Sequence, residues 1–331
     1  SDTTEAARVF TRLAVAVAIA LGIAFSLKKF LRLETVLMII AVLAVIQSLI
    51  GLGQFLQQSS LGLSFLGEPK IAPDILGVAK IEVGGEKILR SYGTFPHPNI
   101  LAAFLLLGLF SLYYFWLITD KPIFIAGGIA AVLLGLTLTF SRTAWAIGAL
   151  LSIIWIFYHL NSELDRRRAM SLLWLVLGIG FLLVLIFLPY FIARFGVSAD
   201  EPAVSLRATY NKIGIEIIKS HPLGVGIGNQ VGYATQNGLY EKYGLAESWQ
   251  RQPIHNLYLL MASEIGILGL LAFLMFLSRI IIHNSSFTIP AVMLIALLLF
   301  GLTDHFLWTQ REGVLMLWIT IGILMGAKRP S

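Results

Sequence analysis

The sequence contains no cysteine and few charged residues, and both absences narrow the classes of protein that it can represent. Without cysteine the chain has no disulfide, no thiol nucleophile and no thiolate metal site. Only 13% of its 331 residues are charged while 57% are hydrophobic, and the mean hydropathy is +0.84. A water-soluble core of this size does not bury so much apolar surface. The composition excludes a disulfide scaffold, a disordered chain and a soluble α/β enzyme, and it indicates a membrane protein.

Apolar runs long enough to cross a bilayer recur along the chain. A helix needs about 20 apolar residues to span a hydrocarbon core of roughly 30 Å, and runs of this kind predict about nine spans. They lie at 13–27, 35–56, 98–119, 122–140, 143–159, 171–190, 255–278, 287–303 and 313–327. We therefore predict an all-α polytopic membrane protein that forms a single integral membrane domain over residues 1–331. Because the chain begins at Ser1 without an initiator Met, we also expect it to be a fragment that lacks earlier N-terminal spans.

The basic residues of the short loops predict the orientation of the spans. Lys and Arg are retained on the cytoplasmic side, so we place the run at 166–168 inside, and alternate loops follow it. This parity puts the amino terminus outside and the carboxyl terminus inside, and it makes the net charge of +6 an orientation signal and not a nucleic-acid surface. The inner group is Lys28, Lys29, Arg32, Lys121, Arg166, Arg167, Arg168, Arg279, Lys328 and Arg329, and the outer group is Arg8, Arg12, Arg142 and Arg311.

Two long segments, at 57–97 and 191–254, then lie outside the cytoplasm. In the first, Gly84-Gly85 between short β-prone runs predicts a hairpin over 81–88. The second contains an amphipathic helix at about 203–219, whose apolar stripe either lies on the membrane or packs against the bundle. The stripe consists of Leu206, Tyr210, Ile213 and Ile217.

Ionisable residues are nearly absent from the predicted spans. Only Glu264 lies clearly within one, with no basic residue near it on the same helix. Proton-coupled transporters carry paired charges near the middle of the membrane or helices broken at matching positions of two halves. The sequence therefore argues against a transporter, and we interpret Glu264 as a buried contact to another span.

Polar residues collect instead at the predicted outer ends of the spans. Arg90 precedes the third span, Arg142 lies between the fourth and fifth, Arg207 lies on the external amphipathic helix, and His255 opens the seventh span. This parity places all four on one side of the membrane, so we expect them to converge on a single site. Taken alone, an arginine at such an end is also a common headgroup anchor, and a histidine there is a common helix cap.

Four strings in chain order resemble the O-antigen ligase and polymerase superfamily of bacterial envelope glycosyltransferases. They are GTFPHPNILAAF, FSRTAW, LRATYNKIGIEIIKSHPLGVGIGN and HNLYLLMASEIGILGL, within roughly residues 90–303. The resemblance implies a GT-C-like helical fold in the bacterial inner membrane, with a large periplasmic loop and an active site facing the periplasm. It implies transfer of a glycan from undecaprenyl diphosphate without metal or cofactor, and essential basic residues at Arg142, Arg207 and His255.

The residue types suit that chemistry. The planar, permanently charged guanidinium grips phosphate oxygens bidentately, so we expect Arg142 and Arg207 to hold the diphosphate. An imidazole is largely neutral at pH 7 and can accept the proton of an acceptor hydroxyl. We predict that His255 is the general base of a direct displacement that inverts the anomeric centre.

Other residues are further candidates for this site. Arg90 and His97 flank the Pro-rich segment before the third span and either help to hold the donor or only shape the loop. Asn256 follows His255, and Asp304 and His305 end the eighth span on its outer side, where one of them can orient His255 or the acceptor.

Two other readings of the polar residues are less favoured. The outer histidines show no close helical spacing or carboxylate pattern that would indicate a metal site. The glycines at 224, 226 and 228 lack the strand, helix and lysine of a phosphate-binding loop, so we predict a hinge there.

The acceptor and the reaction stay open between alternatives. A ligase transfers its glycan to lipid A-core or to a protein, whereas a polymerase transfers it to another lipid-linked repeat. A lipid-linked glycan flippase or exporter is the alternative from another class. In every case membrane lipids surround the chain.

Overall fold

The computed structural model describes residues 3–120, 122–161, 165–196, 202–283 and 288–327. Three residues used to predict the orientation, Lys121, Lys328 and Arg329, lie outside them. Fourteen helices occur in the described part of the chain: α1 (Thr3–Lys29), α2 (Leu33–Gln57), α3 (Pro98–Ile118), α4 (Pro122–Leu138), α5 (Arg142–Leu160), α6 (Arg166–Ile186), α7 (Leu188–Phe195), α8 (Pro202–Ser220), α9 (Gln230–Gln236), α10 (Leu239–Lys242), α11 (Leu257–His283), α12 (Ile289–Phe300), α13 (Phe306–Thr309) and α14 (Arg311–Gly326). Single 3₁₀ turns lie at Ser64–Leu66 and Ser248–Gln250.

Each predicted apolar run contains a helix in the part that the structure describes. Six of the described helices, α1, α2, α3, α5, α6 and α11, are long and apolar enough to cross a membrane. The runs of α4, α14 and α12 form helices of only 17, 16 and 12 residues. The chain is thus consistent with an all-α polytopic membrane protein, while the number of spans and their orientation stay predictions.

The predicted span at 171–190 ends earlier than expected. Helix α6 stops at Ile186, and α7 begins after Phe187 with Pro189 in its first turn. A proline lacks an N–H and its ring clashes with the preceding turn of a continuing helix. The apolar run therefore divides into a long helix and a short amphipathic one that carries Arg194 in its last turn.

The described residues group into two compact units. The first takes those of 1–30, 198–286 and 297–331, and the second takes those of 31–197 and 287–296. Composition and apolar runs do not reveal this division, because residues from distant parts of the chain contribute to each unit.

Close helix packing through small residues characterises the second unit. A Cβ added to Gly108 of α3 would lie 2.1 Å from the Cβ of Ala44 on α2, so the two helices approach where only glycine fits. The predicted hairpin is confirmed: β1 (Lys80–Val83) pairs antiparallel with β2 (Glu86–Leu89). Gly84 and Gly85 have φ of 61° and 86°, as a two-residue type I′ turn requires.

The first unit pairs the two described helices that are farthest apart in the sequence. Gly322 and Gly326 of α14 lie so close to α1 that an added Cβ would stand 2.5 Å from the Ala20 carbonyl oxygen or 2.8 Å from the Leu27 Cβ. Small residues again permit the contact.

The amphipathic helix α8 also lies in the first unit and buries its predicted stripe in protein. Tyr210, Ile213 and Ile217 are buried, and Leu206 packs against the same cluster. Their partners come mostly from α9, α10 and the residues after them: Ala234, Leu239, Tyr240 and Leu245. Of the two predicted positions for the stripe, burial against protein is the one observed.

Candidate active site

His255 lies just before α11, in the first unit, with its ring orientation set by its neighbours. Its Nδ1 is 3.0 Å from the carbonyl oxygen of Pro253, and because a carbonyl only accepts, Nδ1 carries the proton and Nε2 keeps its lone pair. The imidazole stacks on Tyr210 with ring centroids 5.1 Å apart and planes 16° apart. The ring of His305 meets it at 89°, with centroids 4.7 Å apart.

Asn256 anchors the first turn of α11 and so the residue before it. Its Oδ1 accepts hydrogen bonds from the N–H groups of Tyr258 and Leu259, each at 3.0 Å, which is the pattern of an N-cap. Its Nδ2 donates to the carbonyl of Leu302 at 3.0 Å. Asn256, predicted as a possible site residue, therefore holds the helix start that positions His255.

Burial keeps His255 neutral. Desolvation lowers its pKa to about 4; the neighbouring His305 and the positive charge of Arg207 act in the same direction, while Asp304 and the Pro253 hydrogen bond oppose them. The pKa of His305 is also lowered, chiefly by burial. Because the ring is uncharged at pH 7, its Nε2 can accept a proton.

Asp304 and His305 lie directly before α13, beside this imidazole. The Asp304 Oδ1 accepts a hydrogen bond from the His305 N–H at 2.8 Å, and the His305 Nδ1 lies 2.6 Å from the Thr309 Oγ1. The structure thus groups five sequence-predicted residues within the first unit: Arg207, His255, Asn256, Asp304 and His305. Tyr210 was identified from the sequence only as part of an apolar stripe, and its stacking on His255 has no local sequence signal.

Glu264 is a buried contact, but its partners differ from the expected span. Its Oε2 accepts hydrogen bonds from the Gly228 N–H at 2.9 Å and from the Trp308 Nε1–H at 2.8 Å. Its Oε1 lies 3.4 Å from the N–H of Gln230. The carboxylate therefore ties α11 to the glycine-rich segment and to α13.

Helix α11 breaks at Gly266, which has φ 77° and ψ 170°, and the segment 222–226 fills the break. Three backbone hydrogen bonds join the two parts. They run from Val225 N–H to Ser263 O (2.9 Å), from Gly226 N–H to Glu264 O (2.9 Å) and from Ile267 N–H to Pro222 O (3.0 Å). Backbone groups that a broken helix leaves open are in this way satisfied within the protein.

Gly224 of this segment and Gly266 of the helix permit that approach, and the hinge at 224–228 stays a prediction. Gly224 has φ +86°, and a Cβ there would lie 2.4 Å from the Glu264 carbonyl oxygen. A Cβ on Gly266 would lie 2.6 Å from the carbonyl carbon of Leu223. We call segment 222–226 together with the break at Gly266 the interlock.

Arg90 and His97, in the second unit, hold the segment before α3. The Arg90 Nε donates to the Thr139 carbonyl at 2.7 Å and its Nη2 donates to the Asn99 Oδ1 at 2.9 Å, with the side chain buried. The His97 Nδ1 accepts from the Asn99 N–H at 3.1 Å and caps α3. Of the two predicted roles for this pair, these contacts favour shaping the loop.

Arg142 lies half-buried in the first turn of α5, in the second unit, after a tight connection from α4. Ser141 caps the helix, and the Arg142 Nη1 lies 3.4 Å from the Arg194 carbonyl. The Arg194 Nε donates to the Phe140 carbonyl at 3.0 Å, so two guanidinium groups border one turn. Sequence reasoning missed Arg194, because a single arginine after an aromatic run carries no motif.

No trio of His, Asp or Glu side chains that could hold a metal ion occurs among the residues the structure describes.

Comparison with known proteins places part of the chain near one family. Residues 126–274 match the sequence model of the family described as O-antigen ligase, a range that contains Arg142, Arg207 and His255. A protein named general O-oligosaccharyltransferase, from Acinetobacter baylyi (strain ATCC 33305 / BD413 / ADP1), is 34% identical over 103 residues, which are 31% of this chain and 18% of that relative. The chain thus spans less than a fifth of the curated relative that it matches. The matches confirm the resemblance predicted from the sequence.

Proposed function

We propose that this chain, whose residues 126–274 match the O-antigen ligase family, is a ligase-type glycosyltransferase. It moves a glycan from undecaprenyl diphosphate to an acceptor hydroxyl, without a metal, at the periplasmic face of the bacterial inner membrane. The amino terminus lies outside and the carboxyl terminus inside. The observation that carries the proposal is the geometry of His255, whose Nδ1 is committed to the Pro253 carbonyl and whose Nε2 is left to accept a proton.

The displacement needs one proton transfer at this ring. The acceptor oxygen attacks the anomeric carbon while its proton passes to the Nε2 of His255, and the bond from that carbon to the diphosphate oxygen breaks. Diphosphate leaves with the electron pair, and the anomeric centre inverts. A pKa of about 4 makes the ring a weak base by itself, but the negative diphosphate of a bound donor raises that pKa. Asp304 acts in the same direction and stabilises the imidazolium.

Arginines stabilise the leaving group in this proposal. Arg207 already influences both imidazoles through its charge, and Arg142 heads α5 next to the Arg194 carbonyl. A guanidinium binds two phosphate oxygens at once and gains strength as charge develops on them. We assign Arg142 and Arg207 to the diphosphate, and we assign Arg90 to positioning the segment that precedes α3.

Replacing His255 tests the proposal. Proteoliposomes containing the full chain, an undecaprenyl-diphosphate-linked glycan and lipid A-core should lose about 10²–10⁴-fold of their transfer rate on His255→Ala. His283→Ala is the matched control, because it removes an exposed histidine at the far end of the same helix. Full transfer by His255→Ala contradicts the proposal. Glycan translocation by His255→Ala at the wild-type rate, with no transfer by either protein, indicates a flippase instead.

The same vesicles separate a ligase from a polymerase. With the lipid-linked repeat as the only substrate, a ligase leaves the repeat unchanged and transfers it once lipid A-core is added. Growth of the repeat into longer chains before that addition contradicts the ligase assignment and supports a polymerase.

A further inference from the structure

A cavity of about 460 Å³ lies within the first unit. Its volume is in the range of about 300–1,000 Å³ that is typical of small-molecule sites. Two aromatic residues, Tyr233 and Trp308, and three amide side chains, Asn229, Gln230 and Gln236, line it. Neither the catalytic histidine nor the proposed phosphate-binding arginines belong to this wall.

The charged groups of the wall balance each other and have partners. Arg12 donates to the carbonyl of Thr309, and Glu264 accepts hydrogen bonds from Gly228 and Trp308. A phosphate ligand would be expected in a wall with excess positive charge. The capacity that remains lies mainly in the amides and in the second bonding position of the Tyr233 hydroxyl, which lies 3.2 Å from the His221 Nδ1. Such groups suit a neutral ligand rich in hydroxyl groups.

Gln230 is a buried part of the cavity wall. The side chain is 1% exposed, and its Oε1 lies 3.3 Å from the Ile254 N–H. Its Nε2 is itself buried and lies beside the hydroxyl of Tyr240, with which the Gln230 side chain interacts. The protein therefore holds the Gln230 side chain, and the exposed carboxamide of Gln236 in the same wall is the one placed to meet a ligand hydroxyl.

Two wall residues connect the cavity to the histidines. Pro253 lines the cavity, and its carbonyl holds the His255 Nδ1 at 3.0 Å. Thr309 also lines it, and its Oγ1 lies 2.6 Å from the His305 Nδ1. A ligand in the cavity would therefore touch Pro253 and Thr309, each of which contacts one of the two imidazoles.

We propose that this cavity binds one sugar residue of the acceptor, so that the hydroxyl glycosylated belongs to a glycan and not to a serine or threonine of a protein. Aromatic rings pack against the C–H face of a sugar, and carboxamides both donate to and accept from its hydroxyls. The identification of the ligand as the acceptor rests on the proposed transferase function.

Acceptor kinetics test the proposal. The full chain is assayed in proteoliposomes with rough lipopolysaccharide, which ends in core sugars, at varied concentration. Gln236→Ala and Tyr233→Ala should each raise the KM for this acceptor about 3- to 10-fold, since the loss of one hydrogen bond or ring contact lowers affinity by that order. The kcat and the donor KM should stay within twofold of wild type. Gln310→Ala is the matched control, because Gln310 is exposed and lies outside the cavity wall.

The outcomes separate this proposal from the transferase function. An unchanged acceptor KM in both variants, with wild-type transfer intact, overturns the cavity assignment alone. A raised donor KM, or transfer to a protein serine with rough lipopolysaccharide inert, overturns it as well. If wild type transfers nothing, the proposed function fails. Saturation-transfer NMR with free core oligosaccharide then decides the cavity: binding that Gln236→Ala weakens supports a sugar site, and no binding overturns it. Because Gln236 is exposed, its variant stays informative even if Tyr233→Ala unfolds.

Discussion

Replacing Gly224 by alanine should separate α11 from the segment 222–226 that fills its break. The added Cβ would stand 2.4 Å from the Glu264 carbonyl oxygen and 2.6 Å from the Gly266 nitrogen. Both are backbone atoms, so no side chain can rotate away. The segment must therefore withdraw, and the hydrogen bonds from Val225 and Gly226 are lost with it.

The cost follows from these parts. Alanine at a φ of +86° loses about 1–2 kcal/mol relative to glycine, and two backbone hydrogen bonds contribute about 1 kcal/mol each. The sum of about 3–4 kcal/mol is a large share of the 5–15 kcal/mol that stabilises a typical protein. For a chain of 331 residues it corresponds to a fall in Tm of roughly 5 °C.

Thermal unfolding in detergent, followed by tryptophan fluorescence, measures the effect. Gly22→Ala is the control, because a Cβ at this position of α1 meets nothing within 4 Å, and its Tm should stay within about 2 °C of wild type. The transfer rate of Gly224→Ala should fall as well, since the interlock includes the break in α11, the helix that begins just after His255. A Tm for Gly224→Ala as high as that of Gly22→Ala refutes the interlock as a source of stability.

Three further outcomes concern the two sites. The acid limb of kcat/KM against pH should lie near pH 4, because burial lowers the pKa of His255 to about 4 and only the neutral ring accepts a proton. An acid limb near pH 6.5 would show instead that the ring is solvated in the free enzyme. Tyr210→Leu, which removes the stacked ring, should lower kcat by about 3- to 10-fold, whereas Tyr210→Phe should retain most of the wild-type kcat. Equal losses of kcat in the two variants would show that the stacked ring does not contribute to the reaction. Arg90→Gln should lower the free energy of unfolding by about 2–4 kcal/mol, because hydrogen bonds from a buried charge are lost. The kcat and the donor KM per folded molecule should stay unchanged. A higher donor KM at unchanged Tm would instead assign Arg90 to donor binding.

Local features were predictable from the sequence because they depend on neighbouring residues. Apolar runs located the helices, the Gly84-Gly85 pair located the hairpin, and the four-residue stripe located the buried face of α8. The end of α6 was misplaced, since its apolar run continues through Pro189 and hydropathy does not register the lost N–H.

The environment of the histidine was not predictable, because its parts come from distant segments. Tyr210 belongs to α8, His255 precedes α11 and His305 precedes α13. The break at Gly266 lies inside a continuous apolar run, and only the backbone of residues 222–226 makes it favourable. The partners of Glu264 follow from the same contact.

The pairing of α1 with α14 affects how the chain is made. Helix α1 buries Ala20 and Ala24 against glycines of the last described helix, which leaves the ribosome only after all the others. At about 5–20 residues per second, synthesis leaves α1 in the bilayer for tens of seconds with that stripe unpaired. Assembly of the first unit is therefore a late event, so a chaperone or insertase that shields α1 during translation should raise the yield of folded protein.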